Sequence, residues 1–257
     1  MTEIRPVRDS EAEDFLRLLC DVFELDFDRA HGIFFSEPLF DLSRKWALYE
    51  GKEMISILTT VPLEFGWGRA IGIAGVATRV DRQREGHAAR LVERVLREAD
   101  RSGEGPALLF AKETKLYARL GFETIDVVVR ATIDADEAKG LTDMLTFDQV
   151  RSIYDGWASS HPDRLRRDDR RWHYWKWNLR VCTPLPGGYA CHEGRTIREC
   201  IHDGSVEHWE APPDSDWIGT TFMARTMNIP LREPETELHF MAYRIPSMPQ
   251  LFMTDQF

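Results

Sequence analysis

Between Gly72 and Leu96 the chain reads Gly-Ile-Ala-Gly-Val-Ala-Thr, then Arg-Val-Asp-Arg-Gln-Arg-Glu-Gly-His, then Ala-Ala-Arg-Leu-Val-Glu-Arg-Val-Leu. This is a strand of small residues, a turn crowded with basic side chains and backbone donors, and an amphipathic helix. Such a unit demands an α/β arrangement, because the helix must cover its apolar face with the sheet that contains the strand. The first N–H groups of the helix have no intrahelical partners, and the positive end of the helix dipole lies there. The turn is therefore suited to a phosphate or pyrophosphate. Many α/β proteins contain a unit of this kind, so the rest of the chain has to narrow its meaning.

With 257 residues, 43% of them hydrophobic and 30% charged, the chain is globular and long enough for one large or two modest domains. It contains no run of about 18 apolar residues, so no membrane span is expected. Its first residues, Met1-Thr-Glu-Ile-Arg-Pro, lack the apolar core of a signal peptide. Cys20, Cys182, Cys191 and Cys200 form no Cys-x-x-Cys pair, and reduced thiols in a cytoplasmic protein are expected. The net charge of −10 disfavours nucleic acid and favours cationic partners, although it also serves solubility.

Residues 3–8 read as a first strand, with Asp9-Ser10 capping a helix through Phe15, Leu16, Leu19 and Val22. A helical or irregular segment follows over 27–42. Strands are expected at 46–49, 54–65 and 72–78, a helix at 87–101, an apolar strand at 107–110, a short helix at 114–120 stopped by Gly121, and a strand at 122–133. The first half is thus β-α-α-β-β-β-α-β-α-β, a mixed sheet flanked by helices. A domain boundary is expected in 134–140. Beyond it come helices at 146–157, 163–180 and 217–227, and strands at 188–193, 196–202, 206–209 and 237–243.

The turn Gln83-Arg84-Glu85-Gly86-His87-Ala88 fits Q/R-x-x-G-x-G/A, and about thirty residues later comes Tyr117-Ala-Arg-Leu-Gly-Phe122. In order, spacing and β-α-β-α-β context these motifs resemble the GNAT superfamily of N-acetyltransferases, across roughly residues 1–133. The resemblance implies acetyl-CoA as co-substrate and no metal. It implies that Val76, Ala77 and Thr78 pair with the pantetheine arm, with backbone N–H groups suited to an oxyanion. Gln83, Arg84, Glu85, Gly86, His87, Ala88 and Ala89 would hold the pyrophosphate, Gly86 and Ala88 by letting backbone donors approach and Arg84 by its charge. Lys112 and Glu113 would flank the arm on the other side. Tyr117 matches the family's usual general acid, which protonates the leaving thiolate; in isolation it also reads as an aromatic packing on Leu116, Leu120 and Phe122.

An ammonium cannot attack a thioester, so a base is required. Many family members carry a glutamate on the pantetheine-binding strand, but Gly72–Thr78 has no carboxylate. The apolar, aromatic chain end through Phe257 is unlike a frayed tail. It resembles the enhanced-intracellular-survival (Eis) branch, whose C-terminal carboxylate reaches the active site. The α-carboxylate of Phe257 is then the expected base, with Asp255, Asp26, Asp28, Glu37 and His31 as substitutes and a tail that merely closes a sheet as the alternative. The chain would comprise a GNAT domain, 1–134, and a reduced GNAT-like α+β domain, 135–257, without the branch's sterol-carrier-like domain.

The expected activity is acetyl transfer to a primary amine by direct attack. The acceptor would be a cationic small molecule, aminoglycoside-like or polyamine-like, met by Asp26, Asp28 and Glu37. A protein lysine acetyltransferase, or an idle acyl-CoA sensor or scaffold, is the competing reading, and a homo-oligomer is compatible with the aromatic second half. Arg164, Arg166, Arg167, Arg170 and Arg171 with Trp172, Trp175 and Trp177 read as a packed Trp stripe with a solvated Arg face rather than a nucleic-acid surface. Cys182, Cys191 and Cys200 lack the close ligand pairs of a zinc site. No P-loop, H-E-x-x-H or G-x-S-x-G motif appears.

Overall fold

The computed structural model describes residues 2–137, 144–178, 180–206, 210–211 and 214–257. Its elements are β1 (Thr2–Pro6), α1 (Ala12–Phe23), α2 (Phe27–Ser36), β2 (Lys45–Glu50), β3 (Glu53–Phe65), β4 (Gly68–Thr78), α3 (His87–Arg101), β5 (Ala107–Ala111), α4 (Lys115–Ala118) and β6 (Glu123–Ile133). These follow the order expected for the first half. The second half contributes β7 (Asp136–Glu137), α5 (Phe147–Ser159), α6 (Asp169–Trp177), β8 (Val181–Leu185), β9 (Gly188–Glu193), β10 (Thr196–Ile201), β11 (Glu210–Ala211), β12 (Asp216–Thr220), α7 (Thr221–Thr226) and β13 (Leu231–Tyr243).

Eleven strands form one mixed sheet in the order β1-β2-β3-β4-β5-β13-β6-β12-β10-β9-β8. The second half therefore returns its last strand into the middle of the first half's sheet, between β5 and β6. The expected mixed sheet flanked by helices is present. Of the expected boundary at 134–140 and the expected strand at 206–209, residues 138–140 and 207–209 lie outside the described residues.

Three expectations for the second half need correction. The strand expected at 237–243 starts at Leu231. Pro234, which cannot donate to a ladder, falls in a register break between Arg232 and Glu235 where Glu233 has φ +50°, and this hid the strand's first part. The helix expected at 217–227 is a strand followed by a helix. Trp217 and Ile218 are both buried, as suits a strand covered on two faces, and the Thr220 hydroxyl then caps α7. Residues 163–168 are not helical; α6 begins at Asp169, capped by the Asp168 carboxylate.

Instead, the stretch before α6 is a strut. Gly66 N donates to Pro162 O at 2.7 Å, Arg166 N to Glu64 O at 2.8 Å, and Leu165 N to Gln250 O at 3.0 Å. It thus ties the β3–β4 hairpin to the chain end. Gly66 is required there, since a Cβ would lie 2.6 Å from Pro162 Cα. The two faces of the β3–β4–β5 sheet differ. On one, α3 packs Leu91, Val92 and Val95 on Ile71, Ile73 and Leu109. On the other lie Leu63, Phe65, Ala70 and Leu108 with Leu165, Leu251 and Phe257, next to the α1–α2 cluster.

Candidate active site

The site is a fork in the sheet. Strands β4 and β5 run parallel and pair only at Ile71↔Ala107, Gly72↔Leu108 and Ile73↔Leu109. Both continue, to Thr78 and Ala111, but no longer with each other, so the β4 edge from Ala74 to Thr78 has no β5 partner. Against β3, the register passes from Thr59↔Ala74 to Ile57↔Ala77, so Gly75 and Val76 oppose Leu58 alone. This is a bulge with Gly75 at φ +58°, a conformation in which glycine avoids a Cβ penalty, and Leu19 of α1 packs over it. A bulge at a sheet opening re-aims main-chain groups, and here it does so within the expected Val76–Thr78 stretch.

Beyond β4, Arg84 has φ +67° and Gly86 φ +81°. Holding arginine in the left-handed region costs roughly 1–2 kcal/mol, a local strain of the kind that alternating turns use to gather N–H groups into an anion-sized concavity. Gly86 is the N-cap of α3 and supplies no side-chain cap, so the first-turn donors of His87, Ala88 and Ala89 face the turn.

The side chains of the turn divide into two sets. Arg82 donates to Glu50 at 2.8 Å and to Glu85 at 3.0 Å, His87 Nε2 meets Glu85 at 3.0 Å, and His87 Nδ1 meets Arg90 at 2.7 Å. Arg82 holds the Glu85 carboxyl below its ordinary range, and His87 is 2% exposed. Glu85 and His87 thus brace the turn. Gln83 donates to Thr78 O at 3.3 Å, closing the loop. Arg84 is exposed and makes no ion pair among the described residues. Lys112 and Glu113 are exposed at the end of β5.

Tyr117 on α4 packs into the same cluster as Val76, on the α3 face, with Phe122 at 6.0 Å. Burial pushes its phenol up to about 12, so it keeps its proton throughout the neutral range. Phe257 lies on the opposite face. Its ring covers Gly72, where any Cβ would collide with it, and sits 5.4 Å from the Phe110 ring on β5. The last residue therefore straddles β4 and β5 at the mouth of the fork. Tyr117 and Phe257 address the fork from opposite faces of the sheet.

The expected acceptor residues are not brought together. The Asp26 carboxylate caps α2 through Arg29 N at 2.8 Å, and Asp28 is exposed in the first turn. The His31 ring lies tilted against Phe35, with centroids 4.7 Å apart. Glu37 differs: it is half-buried, burial raises its carboxyl, and it lines an open cleft of about 520 Å³ with Ile33, Tyr174, Trp177 and Asn178, between α2 and α6. Sequence reasoning missed Tyr174 and Trp177 here because they belong to the second half. A larger cleft of about 740 Å³ lies between α1 and the end of β4, but its Arg79 pairs with Asp81 and Glu53, and its Glu11 with Arg5.

The Arg–Trp segment also needs correction. Of the expected packed stripe, Trp172 and Trp175 are buried but Trp177 is exposed, and Arg167 and Arg171 are buried with the first two rather than solvated. All four cysteines are free and buried, with Cys182 facing Cys191 across β8–β9. Among the described residues no group of three His, Cys, Asp or Glu could hold a metal ion, and no helix is long and apolar enough to cross a membrane.

Residues 3–125, which include the fork and the α3 turn, match the family model of the acetyltransferase (GNAT) domain. The N-terminal half is a GNAT domain. By that match it is an acetyltransferase-type domain. Curated proteins give no match. Among solved structures, a GCN5-related N-acetyltransferase from Kribbella flavida superposes with TM-score 0.71 at 13% identity, covering 94% of this chain and 70% of that one. Eis1 from Mycobacterium abscessus gives 0.63 at 14%, covering 93% and 72%. A putative acetyltransferase from Pyrococcus horikoshii gives 0.67 at 13%, covering 97% and 91%. At these identities the likeness establishes the fold, and it extends through the second half of the chain.

Proposed function

We propose that this protein is an N-acetyltransferase that moves acetyl from acetyl-CoA to a primary amine of a cationic small molecule. The observation that carries the reading is the fork, with the Gly75–Val76 bulge on one limb and Phe257 across its mouth. The open β4 edge suits a pantetheine arm, whose amides resemble a backbone. The α3 turn, with its uncapped donors and the free Arg84, suits the pyrophosphate. The first half, 1–134, would carry acetyl-CoA, and 135–257 would close the acceptor side through α6 and the chain end.

In this reading the Phe257 carboxylate accepts a proton from the acceptor's ammonium. The free amine forms a bond to the thioester carbonyl carbon from the α1–α2 face, the C–S bond breaks with its electron pair on sulfur, and the extra proton that the attack leaves on nitrogen passes to water, from which Tyr117 is reprotonated. Main-chain N–H groups at Val76–Thr78 stabilise charge on the carbonyl oxygen. Tyr117 donates its proton to the departing sulfur from the α3 face. Its raised pKa favours a neutral donor held ready rather than one that ionises in advance.

A cationic acceptor is supported by Glu37, half-buried beside Tyr174 and Trp177, since a carboxylate with aromatic faces attracts an ammonium. The test is thiol release from acetyl-CoA with a panel of polyamines, aminoglycosides and lysine peptides, comparing wild type with Tyr117→Phe. A drop in kcat of about 10²-fold, with acetyl-CoA binding retained, is expected. Tight acetyl-CoA binding with no thiol release for any amine would sink the enzyme reading in favour of a sensor.

A further inference from the structure

The chain end is held by charge in a place where chain ends are ordinarily loose. Residues 251–255 are buried, and Asp255 is 3% exposed two residues from the terminus. The Arg167 guanidinium donates to Asp255 Oδ1 through Nε at 2.8 Å and to Oδ2 through Nη2 at 2.8 Å. The same guanidinium reaches Glu199 of β10 at 2.5 Å and 3.2 Å, and Thr254 Oγ1 at 2.9 Å. Glu199 also accepts from Thr254, Tyr189 and Trp175. Arg171 lies 4.0 Å from Asp255, so two cations and two anions balance inside the protein. The Arg167 cation further rests 3.7 Å from the Tyr154 ring centroid.

Stability does not account for this arrangement. A buried ion pair seldom outperforms apolar residues of similar volume, because both ions must be desolvated. What the quartet does supply is place. Two residues of chain span at most roughly 7 Å, so a fixed Asp255 leaves the Phe257 carboxylate little room. Arg171 also donates to Pro62 O of β3 at 2.8 Å, and the neighbouring Val61 pairs with Gly72, the residue under the Phe257 ring. One set of contacts therefore registers the chain end, α6 and the forked sheet against each other.

We propose that Arg167, Glu199, Asp255 and Arg171 are positioning residues, a buried latch that holds the terminal carboxylate at the fork. The proposal rests on the reading of Phe257 as the base. Asp255→Asn keeps the shape and removes one charge. It is compared with wild type for release of Phe257 by carboxypeptidase, for kcat and for the KM of acetyl-CoA. Release at least tenfold faster and kcat at least tenfold lower, with KM within twofold, are the expected results. A folded Asp255→Asn protein with release or kcat within twofold of wild type would overturn the latch.

A chain extended by one glycine after Phe257 separates the two ideas. If its kcat equals that of wild type, the base reading fails and the release rate alone decides the latch. If Asp255→Asn does not fold, Thr254→Val removes only the hydroxyl between Arg167 and Glu199, and the same thresholds apply at threefold. In the wild type, amide exchange at 253–257 as fast as in a free peptide would also reject the latch.

Discussion

The two halves of the molecule build their parts of the site from different materials. In the first, function is carried by main chain: a pair of parallel strands that part after three pairings, a bulge, and a turn with two left-handed residues. Its side chains there are mostly exposed and many pair with one another. In the second half, four charged side chains far apart in sequence meet in the interior. Main-chain geometry tolerates side-chain change and is set by local sequence. A buried charge network tolerates little, because each partner's loss leaves another ion desolvated and alone. The fork should therefore fail gradually under mutation and the latch abruptly.

The largest effect expected is on the latch. Arg167→Met leaves Glu199 and Asp255, both almost wholly buried, without their shared cation. A loss of about 3–5 kcal/mol of folding stability is expected from urea unfolding. A loss under about 1 kcal/mol would erase the contrast drawn between the halves.

Lys45 sharpens the same point from the first half. It is buried among Phe15, Phe34 and Phe40, with Nζ 4.5 Å from the Phe34 ring centroid, and has no ion pair within 4 Å among the described residues. Burial lowers its pKa from 10.5 to about 8. Between those values the unfolded chain binds more protons than the folded one, so stability rises as pH goes from about 8 to 10.5. The full gain is at most about 3 kcal/mol. Lys45→Met, compared with wild type in urea titrations at pH 7, 8, 9 and 10, should remove that slope; parallel curves would contradict the assignment.

Removal of Phe257 probes the junction of the halves. Its ring is only partly buried, so folding should survive, while kcat falls about 10²-fold and acetyl-CoA affinity stays within twofold by calorimetry. Gly72→Ala should act in the same direction and less strongly, since its Cβ displaces the ring without deleting the carboxylate.

What the sequence disclosed follows this division. The strand, turn and helix of residues 72–96 were legible because small residues, Gly86 and a 3.6-residue apolar period are local signals, and the motif around Tyr117 lay within the same unit. Phe257 was legible from its own residues only as an apolar terminus that ought to be covered, and its expected role as base came from the resemblance to the Eis branch. Arg167 was misplaced on a solvated helix face, because no local pattern distinguishes an arginine bound for Glu199 and Asp255 from one bound for water. Pro234 concealed half of β13, and with it the insertion of the second half's last strand between β5 and β6. Trp177 read as a member of a Trp stripe and Tyr174 carried no signal, since nothing near them in sequence points to Glu37 on the other half of the chain.

The smallest effect should come from the turn, where main chain is proposed to do most of the binding. Arg84 is exposed and unpaired, so Arg84→Gln removes one long, solvated contact to a phosphate while leaving the donors of His87, Ala88 and Ala89 in place. An exposed charge contact is typically worth up to about 1 kcal/mol, a few-fold in affinity, and salt screens it. The acetyl-CoA Kd of Arg84→Gln should then rise a few-fold at low salt and approach that of wild type near 0.5 M salt. If the Kd instead rises by about a hundredfold and salt does not close the gap, Arg84 and not the backbone holds the pyrophosphate. The first half would then depend on a single side chain much as the second depends on Arg167.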